Sequence, residues 1–252
     1  MRRRVLFPVA AVVLFPTVVL GVQVQLARTA PRLDDEVGFR PVDLAVGSED
    51  PSVDVVWLGD STSTGVGTAQ VEDTMAFRVV STRNPSARLT ILGVSGDQVH
   101  EVIDDQLPLL RDRVADGDVP DAVYVSIGAN DVTALTRRAT FEGRYRSMVD
   151  EIVDVVPDAE IVLIGIPDMG TAPRIPVPLR QIAGRRAAQL DDVIVAIAED
   201  EGLHHVDLAE RTSATFSSDP DRYFSLDGFH PSADGHELWA DAVVASIDES
   251  SR

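Results

Sequence analysis

Cysteine is absent from the 252-residue chain. Disulfides, thiolate metal sites, a cysteine nucleophile and a lipidated cysteine anchor are therefore excluded together. The absence fits either redox compartment and assigns none. Lysine is absent as well. All 22 basic residues are arginine, against 41 Asp and Glu, for a net charge of −19. Residues 1–30 hold Arg2, Arg3, Arg4 and Arg28 and no acid, so residues 31–252 carry 18 Arg against 41 acids, or −23. A field of that sign repels nucleic acid and anionic polymers, and no nucleic-acid partner is expected. Aromatic residues are only 5% of the chain, which gives no sign of a sugar-stacking platform or a lipid-binding surface. A phosphate-cradling loop is missing too, because Gly65-Val66-Gly67 lacks the Gly-Lys-Ser/Thr ending.

What is present begins with Arg2-Arg3-Arg4, followed by residues 5–27 without a charge. About 20 apolar residues suffice to cross a bilayer core. The basic cluster should stay cytoplasmic, which places the remainder outside. A cleaved signal peptide needs small residues at the cut, whereas Ala27-Arg28-Thr29-Ala30 puts Arg and Thr there. The reading favoured is an uncleaved single-span anchor over residues 1–27, with a secreted, cleaved form as the alternative. Residues 28–52 read as a linker, with Pro31, Pro41, Pro51, Gly38, Gly47 and Asp34-Asp35-Glu36 and no sustained period. Residues 53–252 are expected to form one domain, and that length supports one buried core.

Short apolar runs recur through this domain: Val53–Leu58, Leu89–Leu92, Ala122–Ile127, Ile161–Ile166 and a weaker Leu203–Val206. Nearly continuous runs of this kind suit strands covered on both faces. Helical periods lie between them. They comprise Val99, Val102, Ile103, Leu107 and Leu110; Phe141 to Val156; and Leu179, Ile182, Leu190, Val193, Ile194 and Ile197. A last helix follows Pro231, with Ser232 as its N-cap and Leu238, Trp239, Ala242, Val243 and Ile247 turned inward. Alternation of this kind predicts an α/β fold, a parallel sheet of about five strands with helices on both faces. Ligand sites in such sheets form beyond the carboxyl ends of the strands.

Several motif segments fall just there. Gly59-Asp60-Ser61 follows the first run, and Ser61 offers a hydroxyl that needs a base to become a nucleophile. His230 is the candidate base, with Asp227 three residues earlier to hold its tautomer. An oxyanion needs preorganised donors: the Asn130 side-chain amide, the Gly96 N–H and the Ser61 N–H are the candidates. Each has a plainer reading when taken alone: a loop serine, a capping Asp with a surface His, a turn Asn, a loop Gly. His100, His204, His205 and His236 are rival bases. His236 is the foremost, while His204 and His205 have no matching partner nearby in sequence. Asp60, Asp131, Asp168 and Asp227 could gather around Mg²⁺, yet no His/Asp ligand spacing appears, and no metal is expected. Pro167-Asp168-Met169 through Pro178 either shapes an acyl pocket or only joins strand to helix.

Taken in order, these segments resemble the blocks of the SGNH hydrolases, the GDSL esterase/lipase family. Gly59-Asp60-Ser61 is similar to the first block, Val94-Ser95-Gly96-Asp97 to the second, Gly128-Ala129-Asn130-Asp131 to the third and Asp227-Gly228-Phe229-His230-Pro231 to the fifth. Thr62 stands where the family name has Leu, and Ile91 or Leu92 where the second block often has Asn. The resemblance runs from about residue 53 to 245. It implies a three-layer, flavodoxin-like α/β/α fold, no cofactor, and hydrolysis of an ester or thioester through an acyl-enzyme. The substrate implied is a small-molecule or glycan-linked acyl ester. The same parts would serve an acyltransferase acting on a cell-envelope glycan. A catalytically silent envelope-binding domain is the alternative from another class, and its expected sign, a missing nucleophile or base, is absent.

Overall fold

The computed structural model describes residues 42–48, 50–250 and 252. The segment read as an anchor lies outside the described residues. Six strands form one sheet: β1 (Val42–Val46), β2 (Val53–Gly59), β3 (Ala87–Ile91), β4 (Ala122–Ser126), β5 (Glu160–Ile164) and β6 (His204–Val206). Their order is β1-β3-β2-β4-β5-β6. Strands β2 to β6 are parallel, and β1 pairs antiparallel with β3, Val42 opposite Ile91 and Val46 opposite Ala87. The five expected parallel strands therefore run in the flavodoxin-like order, in which β2 and β4 flank the point where the winding reverses.

The antiparallel edge corrects the linker reading. Val42-Asp43-Leu44-Ala45-Val46 alternates as a half-covered edge strand does, with Asp43 and Ala45 exposed and Val46 buried. Proline, glycine and acids on either side mask that short period.

Eight helices complete the described layers: α1 (Met75–Arg83), α2 (residues 99–115), α3 (Ala129–Ala134), α4 (Arg138–Val155), α5 (Leu179–Glu201), α6 (Leu208–Ser218), α7 (Pro220–Tyr223) and α8 (Ala233–Ser250). Helices α1, α6 and α8 pack together on one face, and α2, α4 and α5 on the other. Helix α8 begins as expected, the Ser232 Oγ accepting the Gly235 N–H at 3.2 Å. Ile182 departs from expectation and is 46% exposed. Helix α5 leaves a surface loop, and its fully buried stripe starts only at Ala187.

Strand β4 is buried along its whole length. Trp57 on β2 stacks on Tyr124, its neighbour on β4, with ring centroids 4.7 Å apart. Both are buried, and a fully buried large side chain contributes roughly 1.5–3 kcal/mol. The Trp57 Nε1–H donates to Ser126 Oγ at 2.9 Å, so the indole carries its polar atom without cost. This packing fixes the carboxyl ends of β2 and β4, from which the site is built.

Candidate active site

Ser61 follows β2 directly. Gly59, with φ +150°, lies so close to β4 that a Cβ there would sit 2.2 Å from the Ser126 carbonyl oxygen. No side chain fits, and the chain turns off the sheet at that point. Gly67 plays the matching part further on: a Cβ would meet the Pro231 oxygen at 1.9 Å. That approach seats the Ser61 loop on the loop bearing His230.

Ser61, His230 and Asp227 come together as the spacing suggested. His230 Nε2 lies 3.2 Å from Ser61 Oγ, and His230 Nδ1 lies 2.8 Å from Asp227 Oδ2. A carboxylate only accepts, so Nδ1 carries the proton and Nε2 faces the serine as an acceptor. Asp227 Oδ1 accepts from Ser225 Oγ and from the N–H groups of Phe229 and His230, each at 2.9 Å. Burial disfavours the Asp227 charge. The His230 ring and these backbone donors outweigh it and hold the carboxyl well below its usual range.

Arg174 also reaches this carboxylate. Its Nη1 lies 3.6 Å from Asp227 Oδ2, and its side chain is only 9% exposed. Its backbone N–H donates to the Gly228 carbonyl at 2.9 Å, joining the proline-rich loop to the His230 turn. Sequence reasoning did not single out Arg174. An arginine in a proline-rich loop has no local signal that points at a distant carboxylate.

Asn130 stands at the start of α3. Its Nδ2 donates to the Asp97 carbonyl at 2.9 Å and makes a longer 3.4 Å contact with Asp60 Oδ2. Gly96, at φ +96°, is exposed and has open space where a Cβ would be. Asp60 is almost wholly buried and takes the Thr62 N–H and Oγ1–H at 3.0 Å each. Burial nonetheless pushes its pKa up to about 6. Thr62 also reaches Ser126 Oγ at 3.1 Å, which ties the Ser61 loop to the end of β4.

Gln106 was missed as well. It closes a π-type turn over Val102–Gln106 and is buried against the sheet. Its Oε1 accepts the Gly59 N–H at 3.0 Å, while its Nε2 donates to the Gly59 carbonyl and to Asp97 Oδ2, both at 2.8 Å. One amide thus links the Ser61 turn, the Gly96 loop and, through Asp97, Asn130.

The rival histidines lie elsewhere. His236 is fully buried, its Nδ1 accepting the Met75 N–H and its Nε2 lying 3.2 Å from the Val66 carbonyl. His204 Nε2 is 3.2 Å from Ser246 Oγ, and His205 Nε2 is 3.5 Å from Asp191 Oδ2. Neither neighbour is near in sequence, as expected. They lie on α8 and α5. The four aspartates weighed as metal ligands are each engaged by this chain's own donors: Asp60 and Asp227 as above, Asp131 by the Val99 N–H and Asp168 by the Gly170 N–H.

Burial lowers the His236 pKa to about 4, against the pull of the Val66 carbonyl. The unfolded chain takes up a proton near pH 6.5, whereas the native chain resists it. Stability is thus complete above about pH 6.5 and falls as pH drops toward 4, by roughly 3 kcal/mol for this group. Urea unfolding at pH 7 and pH 4.5 should show the loss in the parent and a clearly smaller one in His236→Gln. Equal pH dependence in the two would contradict this role.

An open cleft starts at Ser61 and His230. Phe216, Phe224, Phe229 and Trp239 wall it, with Met169 and Ala172 from the proline-rich loop. Phe216 packs against Phe224 and Trp239 at centroid distances of 4.9 and 5.5 Å. The low aromatic content hid this surface: few aromatics are present, but they gather here.

A flavodoxin-like α/β/α domain with serine, histidine and aspartate hydrogen-bonded in series at its switch point has the build of a hydrolase. Residues 57–238 match the GDSL-like lipase/acylhydrolase family, and the chain belongs to it. It is 29% identical over 206 residues to a GDSL-like esterase of Mycobacterium tuberculosis, a match covering 79% of this chain and 62% of that protein. The chain thus spans less than two thirds of that relative's length. Among solved structures, the fold is similar to phospholipase A1 from Streptomyces albidoflavus, with TM-score 0.61 and 19% identity over 78% of this chain and 98% of that one. It is also similar to an acetylxylan esterase from Geobacillus stearothermophilus, with TM-score 0.57 and 21% identity over 81% and 96%.

Proposed function

We propose that the protein is a serine esterase that cleaves an ester of a short to medium apolar acyl chain through an acyl-enzyme. The observation that carries this reading is the His230 ring held between Ser61 Oγ at 3.2 Å and Asp227 at 2.8 Å. Ser61 Oγ attacks the acyl carbonyl as His230 Nε2 takes its proton. The negative oxygen is met by the Ser61 and Gly96 N–H groups and by the Asn130 amide. One Asn130 proton stays on the Asp97 carbonyl, and the long contact to Asp60 is the one that yields. His230 then protonates the departing alcohol. A water entering from the open mouth gives its proton to His230 and releases the acid from Ser61. Asp227 stabilises the imidazolium in both halves.

The apolar wall made by Phe216, Phe224 and Trp239 supports an acyl chain rather than a polar group on the acid side. Across p-nitrophenyl esters of increasing chain length, kcat/KM should rise by about fourfold per buried methylene, then fall once the cleft is full. A monotonic decline from acetate onward would refute the apolar acyl site.

Arg2-Arg3-Arg4 ahead of 23 uncharged residues supports a membrane-anchored, extracytoplasmic placement. Among the described residues no helix is long and apolar enough to cross a membrane.

A further inference from the structure

The chain is strongly acidic, yet two segments at the catalytic edge carry no acid at all. Residues 132–141 hold Arg137 and Arg138, and residues 169–190 hold Arg174, Arg180, Arg185 and Arg186. They meet in space: Arg186 donates to the carbonyl oxygens of Val132 and Thr136. Exposed apolar side chains stand on the same surface, with Leu135 at 69%, Val177 at 57% and Ile182 at 46% exposure. Leu226, wholly exposed, belongs to the adjoining turn through the Arg174–Gly228 bond. Arg137 and Arg185 are exposed too. Thr171 and Ala172, from the same loop, line the cleft.

We propose that this basic, apolar face beside the cleft mouth docks on an anionic lipid surface, the bilayer that receives the N-terminal segment. Charge complementarity is local: Arg137 and Arg185 lead the attraction, Arg138 being paired with Glu142 at 3.7 Å, while the acidic remainder is repelled, which orients the domain mouth-down. Exposed apolar side chains ringed by arginine suit the headgroup boundary. The chain's entry point agrees. Antiparallel β1 sets Val42 opposite Ile91, at the carboxyl end of β3, so the connection from the N-terminal segment joins the sheet at the catalytic edge. Residues 28–41 can reach at most about 50 Å when extended, which keeps the mouth near the membrane. The inference rests on the membrane-anchored placement proposed above and is independent of the ester chemistry.

Because the chain lacks cysteine, a single Ile182→Cys carries an environment-sensitive dye without competitors, and Val119→Cys, on the loop entering β4 at the opposite edge, is the control. The full chain is reconstituted into vesicles of phosphatidylglycerol and phosphatidylcholine in equal parts, or of phosphatidylcholine alone. Dye emission at Ile182→Cys should shift to the blue only in the anionic vesicles. The shift should vanish in 1 M salt, where screening acts within about 3 Å, and in Arg137→Glu/Arg185→Glu. The Val119→Cys dye should not respond. Near-UV circular dichroism and turnover of a soluble ester verify that the variants are folded. Flotation with phosphatidylcholine vesicles reports the anchor separately. A dye at Ile182 indifferent to lipid charge, or an equal response at Val119, overturns the docking face.

Discussion

Ser61→Ala should lower turnover of short p-nitrophenyl esters by roughly 10⁴-fold or more, since the nucleophile of a cooperating triad cannot be replaced by its partners. The fold should survive. Ser61 Oγ has His230 as its hydrogen-bond partner, while the Ser61 carbonyl keeps the Val66 N–H at 3.1 Å. Losing one such side-chain bond costs about 1 kcal/mol, so urea midpoints of parent and variant should nearly coincide. Activity lost with stability retained is the pattern of a chemical role. Unchanged turnover would remove Ser61 from the mechanism altogether.

Asp227→Asn should cost about 10⁴-fold in kcat, the scale seen when a triad aspartate is made neutral. The reason is directional. Oδ1 of Asp227 accepts two backbone N–H groups and the Ser225 hydroxyl. An asparagine there must keep its carbonyl oxygen on those donors. Its NH₂ group is then turned to His230 Nδ1, which has to become an acceptor. The ring proton moves to Nε2, facing Ser61, and His230 no longer takes the serine proton. The same substitution takes the charge from beside Arg174, 3.6 Å away. Asp227→Glu keeps the charge but lengthens the side chain, and it should recover only part of the loss. Full activity in Asp227→Asn, with the fold verified by circular dichroism, would show that the carboxylate does not set the tautomer.

Most of the parallel strands were legible because they are nearly continuous apolar runs, and the motifs were legible because they follow those runs. Ser61, Asn130, Asp227 and His230 were all named from residue type and position, and the structure brings Ser61, Asp227 and His230 into one hydrogen-bonded series. Helix α6 was not legible. Its buried positions are Leu208, Thr212 and Phe216, so one member of the stripe is a threonine and the apolar period breaks. Helix α1 was not read either, although its buried positions Met75, Ala76, Val79 and Val80 are all apolar and Thr74 caps it through the Phe77 N–H at 3.1 Å. Gln106 and Arg174 were out of reach for a different reason. Both act on groups brought near only by the completed fold, Gln106 on Gly59 and Arg174 on Asp227. A helical wheel puts Gln106 on the apolar face with Val99, Val102, Ile103 and Leu110, but it does not say which backbone groups that amide meets. The aromatic wall of the cleft joins α6, α8 and the turn before Asp227, a grouping that composition conceals.

The central claim is that Ser61 becomes covalently acylated with His230 as its base. Mass spectrometry of the protein quenched during turnover of a p-nitrophenyl ester, or after reaction with a fluorophosphonate, tests this most directly. The account predicts one adduct per chain, on the peptide containing Ser61, absent in Ser61→Ala and strongly slowed in His230→Ala. An adduct on another residue, or equal labelling of the folded Ser61→Ala protein, would contradict it.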